Sequence, residues 1–154
     1  MRRIFIATAL LAGFATAAVA HAQSGGGLGL QWATVNSCAP TEVGVRASLP
    51  GDGSDKRMRV RFTAQYWAYT RRAWVPVAGV PRSPWLDAGS ARYSYGQAGW
   101  TFRFDPPRGT THYQVRGLAE MRWLSGGKVT RSATMVTQRG AATDVGGSQA
   151  TCRL

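Results

Sequence analysis

Acid–base, nucleophilic and metal chemistry each need particular side chains, and this chain carries few of them. The 154 residues contain two histidines, His21 and His112, and two cysteines, Cys38 and Cys152. His21 falls within a segment with the features of an export signal, so a Ser-His-Asp or Cys-His constellation would depend on His112. His112 stands in a turn just before Tyr113, where an exposed turn residue is the simpler reading. Glycoside hydrolysis needs two carboxylates facing each other across a cleft. The acids are Glu42, Asp52, Asp55, Asp87, Asp105, Glu120 and Asp144. Asp52 and Asp55 read as turn residues, Asp105 as turn-forming before Pro106, and Glu120 as the polar face of a strand. Gly126-Gly127-Lys128 lacks the full phosphate-loop spacing. Two thiols and one histidine make a poor metal set. No catalytic residue, metal site or cofactor is therefore expected, and binding is the chemistry left to consider.

Binding has better candidates. Arg57, Arg59 and Arg61 alternate along one segment, so on a strand they project from one face at intervals of about 7 Å. A row of guanidiniums matches phosphate or carboxylate groups along an anionic polymer. The alternative is a solvated face that also protects a strand edge from pairing. Continued alternation puts Trp67 and Tyr69 on the arginine face, and tryptophan beside arginine is a recognition composition. Arg82 and Arg92 accompany Trp85, Tyr93 and Tyr95 in the stretch from Gly79 to Gly99, which has two prolines and several glycines. An open loop there offers flat rings for stacking on sugars or bases. Folded back, the same loop would cover the aromatic face instead. The site residues expected from sequence are thus Arg57, Arg59, Arg61, Trp67, Tyr69, Arg82, Trp85, Arg92, Tyr93 and Tyr95.

The elements that must position these residues are strands. Met58, Val60, Phe62, Ala64 and Tyr66 share one face, and Arg57, Arg59, Arg61, Thr63 and Gln65 the other, which is the period of a half-buried strand. The same period runs through Val43, Val45, Ala47 and Leu49, through Trp100, Phe102 and Phe104, and from Tyr113 through Val115, Gly117, Ala119 and Met121 to Trp123. Shorter candidates are Leu28 to Val35, Trp74 to Val77 and Lys128 to Thr137. Pro50-Gly51-Asp52-Gly53, Asp105-Pro106-Pro107-Arg108-Gly109 and Ser125-Gly126-Gly127-Lys128 mark turns, the last a two-residue hairpin. No segment beyond the signal carries a helical stripe. About seven short strands predict an all-β antiparallel sandwich.

Arg2 and Arg3 precede an uncharged run ending in Ala20-His21-Ala22, which predicts a cleaved secretory signal over 1–22. A flexible Gly/Ser leader over 23–27 and one domain over 28–154 follow, with no transmembrane segment after cleavage. Removing 22 of 154 residues leaves 132, and the basic excess falls from 19 against 7 to 17 against 7, a charge of about +10. In an oxidising compartment, secreted or periplasmic, Cys38 and Cys152 read as one bridge closing nearly the whole domain.

The run Phe104-Asp105-Pro106-Pro107-Arg108-Gly109-Thr110-Thr111-His112-Tyr113-Gln114-Val115-Arg116 resembles the fibronectin type III and wider immunoglobulin-like pattern over roughly Trp100 to Thr137. In that pattern a Pro-Gly-Thr turn leads to a tyrosine, an alternating strand and a glycine hairpin. The resemblance implies an immunoglobulin-like sandwich in which Tyr113 is the corner tyrosine, its ring in the core and its hydroxyl bonded to upstream backbone. The cysteines depart from the antibody pattern, lying near the ends rather than on the two central core strands.

The function expected from these observations is an exported, non-catalytic binding domain. It would hold an anionic envelope or extracellular polymer, such as lipopolysaccharide, a wall polysaccharide or extracellular DNA. Nucleic acid alone is a weaker expectation, since a domain of this charge binds DNA without specificity. The alternative is a structural or protein-interaction module whose charge confers solubility and whose strand edges or aromatics meet a protein partner.

Overall fold

The computed structural model describes residues 31–105, 112–139 and 148–154. The expected signal and leader, residues 28–30, the turn from Pro106 to Gly109, and Asp144 lie outside the described residues.

Nine strands form: β1 (Trp32–Ala39), β2 (Glu42–Pro50), β3 (Arg57–Ala68), β4 (Ala73–Pro76), β5 (Leu86–Ser90), β6 (Tyr95–Arg103), β7 (Gln114–Ser125), β8 (Lys128–Val136) and β9 (Cys152–Arg153). One sheet runs β1-β2-β6 and the other β4-β3-β7-β8, with β5 also pairing β3 and β9 also pairing β7. All these pairings are antiparallel. The chain is thus an all-β antiparallel sandwich whose strand order follows the immunoglobulin-like plan, with β1, β2 and β6 facing β3, β7 and β8.

Alternation builds the core. Val43, Val45, Ala47 and Leu49 of β2 and Phe102 of β6 face Met58, Val60, Phe62 and Ala64 of β3 and Val115, Ala119, Met121 and Trp123 of β7. Trp123 is buried between the layers, and its Nε1 donates to the Pro50 carbonyl at 3.0 Å, so its single polar group is satisfied across the core. A bulge between Val35 and Ser37 resets the phase of β1, placing Cys38 opposite inward-facing Val43. There it bonds Cys152 of β9, with Cα atoms 5.5 Å apart and 114 residues between them in sequence. The bridge ties the first strand of one sheet to the last strand of the other. Among the described residues no helix is long and apolar enough to cross a membrane.

Several expectations need correction. The Gly79–Gly99 stretch is not one irregular loop, because it contains β5 and the first half of β6. Gly89, at φ 102°, and the extra residue Ala88 form a bulge against β3 that the period-2 pattern conceals. Gly96 and Gly99 likewise hide the alternation of β6. Tyr113 does not bury its ring in the core; it is 40% exposed and meets Tyr66 edge to face, with centroids 6.1 Å apart. Nor does β3 have an edge for its arginines to protect. Its outer side is filled by β5 at Arg57–Val60, by Ser83 on Phe62, by Val77 on Ala64 and by β4 at Gln65–Ala68. The expected hairpin is present, with Gly126 and Gly127 at φ 55° and 79°.

Candidate functional site: an arginine and tryptophan face

With Met58, Val60 and Phe62 committed to the core, the odd-numbered side chains of β3 must face outward, and register fixes what they meet. Across β3 and β7, Arg57 stands opposite Leu124, Arg59 opposite Arg122, Arg61 opposite Glu120, Thr63 opposite Leu118 and Gln65 opposite Arg116. On the other flank, Asp87 of β5 stands opposite Arg59, and Trp74 of β4 opposite Trp67.

Two clusters result. In the first, Glu120 accepts from Arg61 Nε at 3.1 Å and Nη2 at 3.0 Å, while Arg82 Nη1 lies 3.7 Å from the same carboxylate. Trp85, half-buried just before β5, sits against both Arg61 and Arg122, whose guanidinium carbons lie 4.6 and 4.2 Å from its ring centroid. Arg57 pairs with Asp87. Hydrogen bonding from the Gly89 backbone N–H, and then the Arg57 guanidinium, hold the Asp87 carboxyl below the ordinary aspartate value. In the second cluster Trp67 and Trp74 meet edge to face at 5.6 Å, and the Arg116 guanidinium lies 4.3 Å from the Trp74 ring while its Nε donates to Gln65 Oε1 at 3.0 Å. Partial burial under these rings pushes the Arg116 pKa down.

The charge on this face is unbalanced. Arg57, Arg59, Arg61, Arg82, Arg116 and Arg122 face two carboxylates, Asp87 and Glu120. Among the described residues no ion pair involves Arg59 or Arg122. Their positions stand directly across the ladder from each other, with Asp87 on the other flank of Arg59 and the Arg122 guanidinium resting on Trp85, so the face carries more positive charge than its carboxylates balance.

The expected site residues divide between this face and the two ends of the sandwich. Arg57, Arg59, Arg61, Trp67, Arg82 and Trp85 share the face, and the segment from Arg82 to Trp85 folds back over it. Tyr69 lies in the β3–β4 turn, 66% exposed. Arg92, Tyr93 and Tyr95 lie at the β5–β6 turn by the opposite end of β3, where Arg92 pairs with Asp55. Twelve strand residues, roughly 36 Å, separate the ends, so Tyr69 and Tyr93 do not belong to one contact patch. Sequence reasoning missed Trp74, Asp87, Arg116, Glu120 and Arg122. For Arg116, Glu120 and Arg122 the signal was present in the alternation of β7, whose even positions they occupy, but the register that sets them beside the β3 arginines was not. His112 is exposed, outside any strand. Among the described residues no three His, Cys, Asp or Glu side chains gather as metal ligands.

No family model matches the chain. No curated protein matches it either. Among solved structures it is similar to a glycosyl hydrolase family 2 member from Bacteroides cellulosilyticus, at 14% sequence identity and a TM-score of 0.39. That similarity covers 69% of this chain and 14% of the other, so the chain spans a small part of that protein's length.

Proposed function

We propose that this chain is an exported, non-catalytic binding domain that holds an anionic polymer along the outer face of the β4-β3-β7-β8 sheet. The observation that carries the reading is the cross-strand pair Arg59 and Arg122, two arginines at directly opposed ladder positions, neither of them in an ion pair among the described residues. A polyanion laid over them meets two adjacent cations at once, and bidentate guanidinium contacts suit phosphate and carboxylate alike. Trp85 and Glu120 hold Arg61 and Arg122 in place before the ligand arrives, which lowers the ordering cost of binding. The spacing of Arg57, Arg59 and Arg61, about 7 Å per step, suits successive charges on an extended polymer. The test is capture from a fractionated envelope extract by the chain from Gln23 to Leu154, eluted across a salt gradient. An anionic polymer released at moderate salt, and no longer held after Arg59→Ser and Arg122→Ser, supports the reading. Capture of a single protein through high salt, indifferent to both arginines, contradicts it and favours a protein-interaction module.

A further inference from the structure

The two sheets treat their edges unequally. The outer edge of β1 is closed by reciprocal bonds between Val35 and Gln149, at 2.9 and 3.0 Å, and by Gln138 donating to the Ala33 carbonyl at 2.8 Å. The outer side of β3 is filled along its length, and the strands that fill it, β4 and β5, have only four and five residues. The outermost strand β8 carries Lys128 and Arg131, charges that discourage further pairing. Strand β6 has none of these protections. Its nine residues, Tyr-Gly-Gln-Ala-Gly-Trp-Thr-Phe-Arg, include no proline and no charge before Arg103.

The hydrogen-bond phase shows which backbone groups are open. Phe104 donates to Thr41 and Gly51 donates to Ser94, both at 2.9 Å, so in this register the even residues of β6 exchange bonds with β2. The N–H and C=O groups of Gln97, Gly99, Thr101 and Arg103 therefore point away from the sheet. Among the described residues nothing pairs with them.

From this edge we infer that a second copy of the chain pairs with β6 antiparallel to β6, about a two-fold axis through Gly99. That register makes Gly99 meet Gly99 and puts Gln97 opposite Thr101. It sets Arg103 opposite Tyr95, keeping the one cation of the strand away from its own copy. The two Trp100 side chains, 36% exposed on the single chain, become diagonal neighbours across the axis, within aromatic reach. Two three-stranded sheets become one of six strands, and the long neutral edge of β6 disappears. The interface lies on the sheet opposite to the arginine face, so pairing leaves that face open in both copies.

Sedimentation of the chain from Gln23 to Leu154 across concentration and salt tests this. Because each copy carries a large positive charge, dimerisation strengthens with salt, the reverse of polymer binding, so failure of one reading is separable from failure of the other. Thr101→Pro removes an outward N–H and no bond to β2, so the dimer dissociation constant should rise about tenfold or more with the melting midpoint held. Should that variant lower the midpoint, Thr101→Lys places a charge on the edge without touching the backbone and decides the matter. A chain that remains monomeric in high salt at every concentration overturns the proposal and leaves the edge to a strand from another protein. A dimer unaffected by both substitutions overturns it as well.

Discussion

Glu120 on β7 accepts both Nε and Nη2 of Arg61 on β3, at 3.1 and 3.0 Å, a two-pronged bond across the strand pair that fixes the guanidinium beside Trp85. An amide accepts at one oxygen only and carries no charge. Glu120→Gln should therefore cost about 1 kcal/mol of stability in urea unfolding, since the pair is only partly buried. It also adds one net positive charge to the face, so affinity for a polyanion at low salt should rise. A fall in affinity would mean that holding Arg61 matters more than the charge it carries.

Asp87 gives the face an acid limit. Its carboxyl titrates below the ordinary aspartate value because Gly89 N–H and Arg57 favour the charged form. A folded-state pKa lowered in this way stabilises the protein above the unfolded value, near 3.9, and that contribution is lost as pH falls through the lowered folded value. Wild type should thus be more stable than Asp87→Asn at about pH 5, and the difference should shrink as pH falls below the unfolded-state value. Equal stability at pH 5 would show that the Arg57–Asp87 pair contributes nothing.

Much of this fold was legible from side-chain alternation. The faces of β2, β3 and β7 could be assigned residue by residue because each buries one clean row of apolar side chains. What stayed hidden were places where backbone, not pattern, decides. The bulge at Ala88 and Gly89 and the glycines of β6 erase the period, so β5 and the first half of β6 read as a loop. Strand β9 is too short to have a period. The site was half legible for the same reason: Arg57, Arg59 and Arg61 announce one face, but only the pairing of Arg61 with Glu120 and of Arg59 with Arg122 says which other residues stand beside them. Tyr113 alternates with core residues and yet remains partly exposed at the end of the sandwich. Alternation assigns a face without saying how far the opposite sheet extends to cover it.

The bridge between Cys38 and Cys152 should carry a large share of the stability. It closes a loop of 114 residues, so its removal is worth about 3 to 5 kcal/mol on the chain-entropy account. Chemical unfolding of the double variant Cys38→Ala, Cys152→Ala should show a loss in that range. A loss under about 1 kcal/mol would mean that β1 and β9 are held by their pairing alone.

Gly96 is required by its neighbour rather than by its dihedral. A Cβ there would stand 1.8 Å from the Ala88 carbonyl oxygen and 2.8 Å from Met58 Cε, at the place where β5 crosses the inner side of β6. Gly96→Ala should destabilise by about 1 to 3 kcal/mol as β5 shifts away. Gly126→Ala in the exposed hairpin meets no such contact, so its cost comes from positive φ alone. Equal thermal shifts for the two would contradict this packing.

Binding of an anionic polymer by the proposed arginine face should show in the salt dependence of affinity for long-chain inorganic polyphosphate. The slope of log affinity against log salt should be steep and negative, and should become shallower by roughly 0.7 to 0.9 with Arg59→Ser and again with Arg122→Ser. Tyr69→Ala, at the far turn, should leave it unchanged. A slope and affinity indifferent to both arginines would place the binding elsewhere and contradict the account.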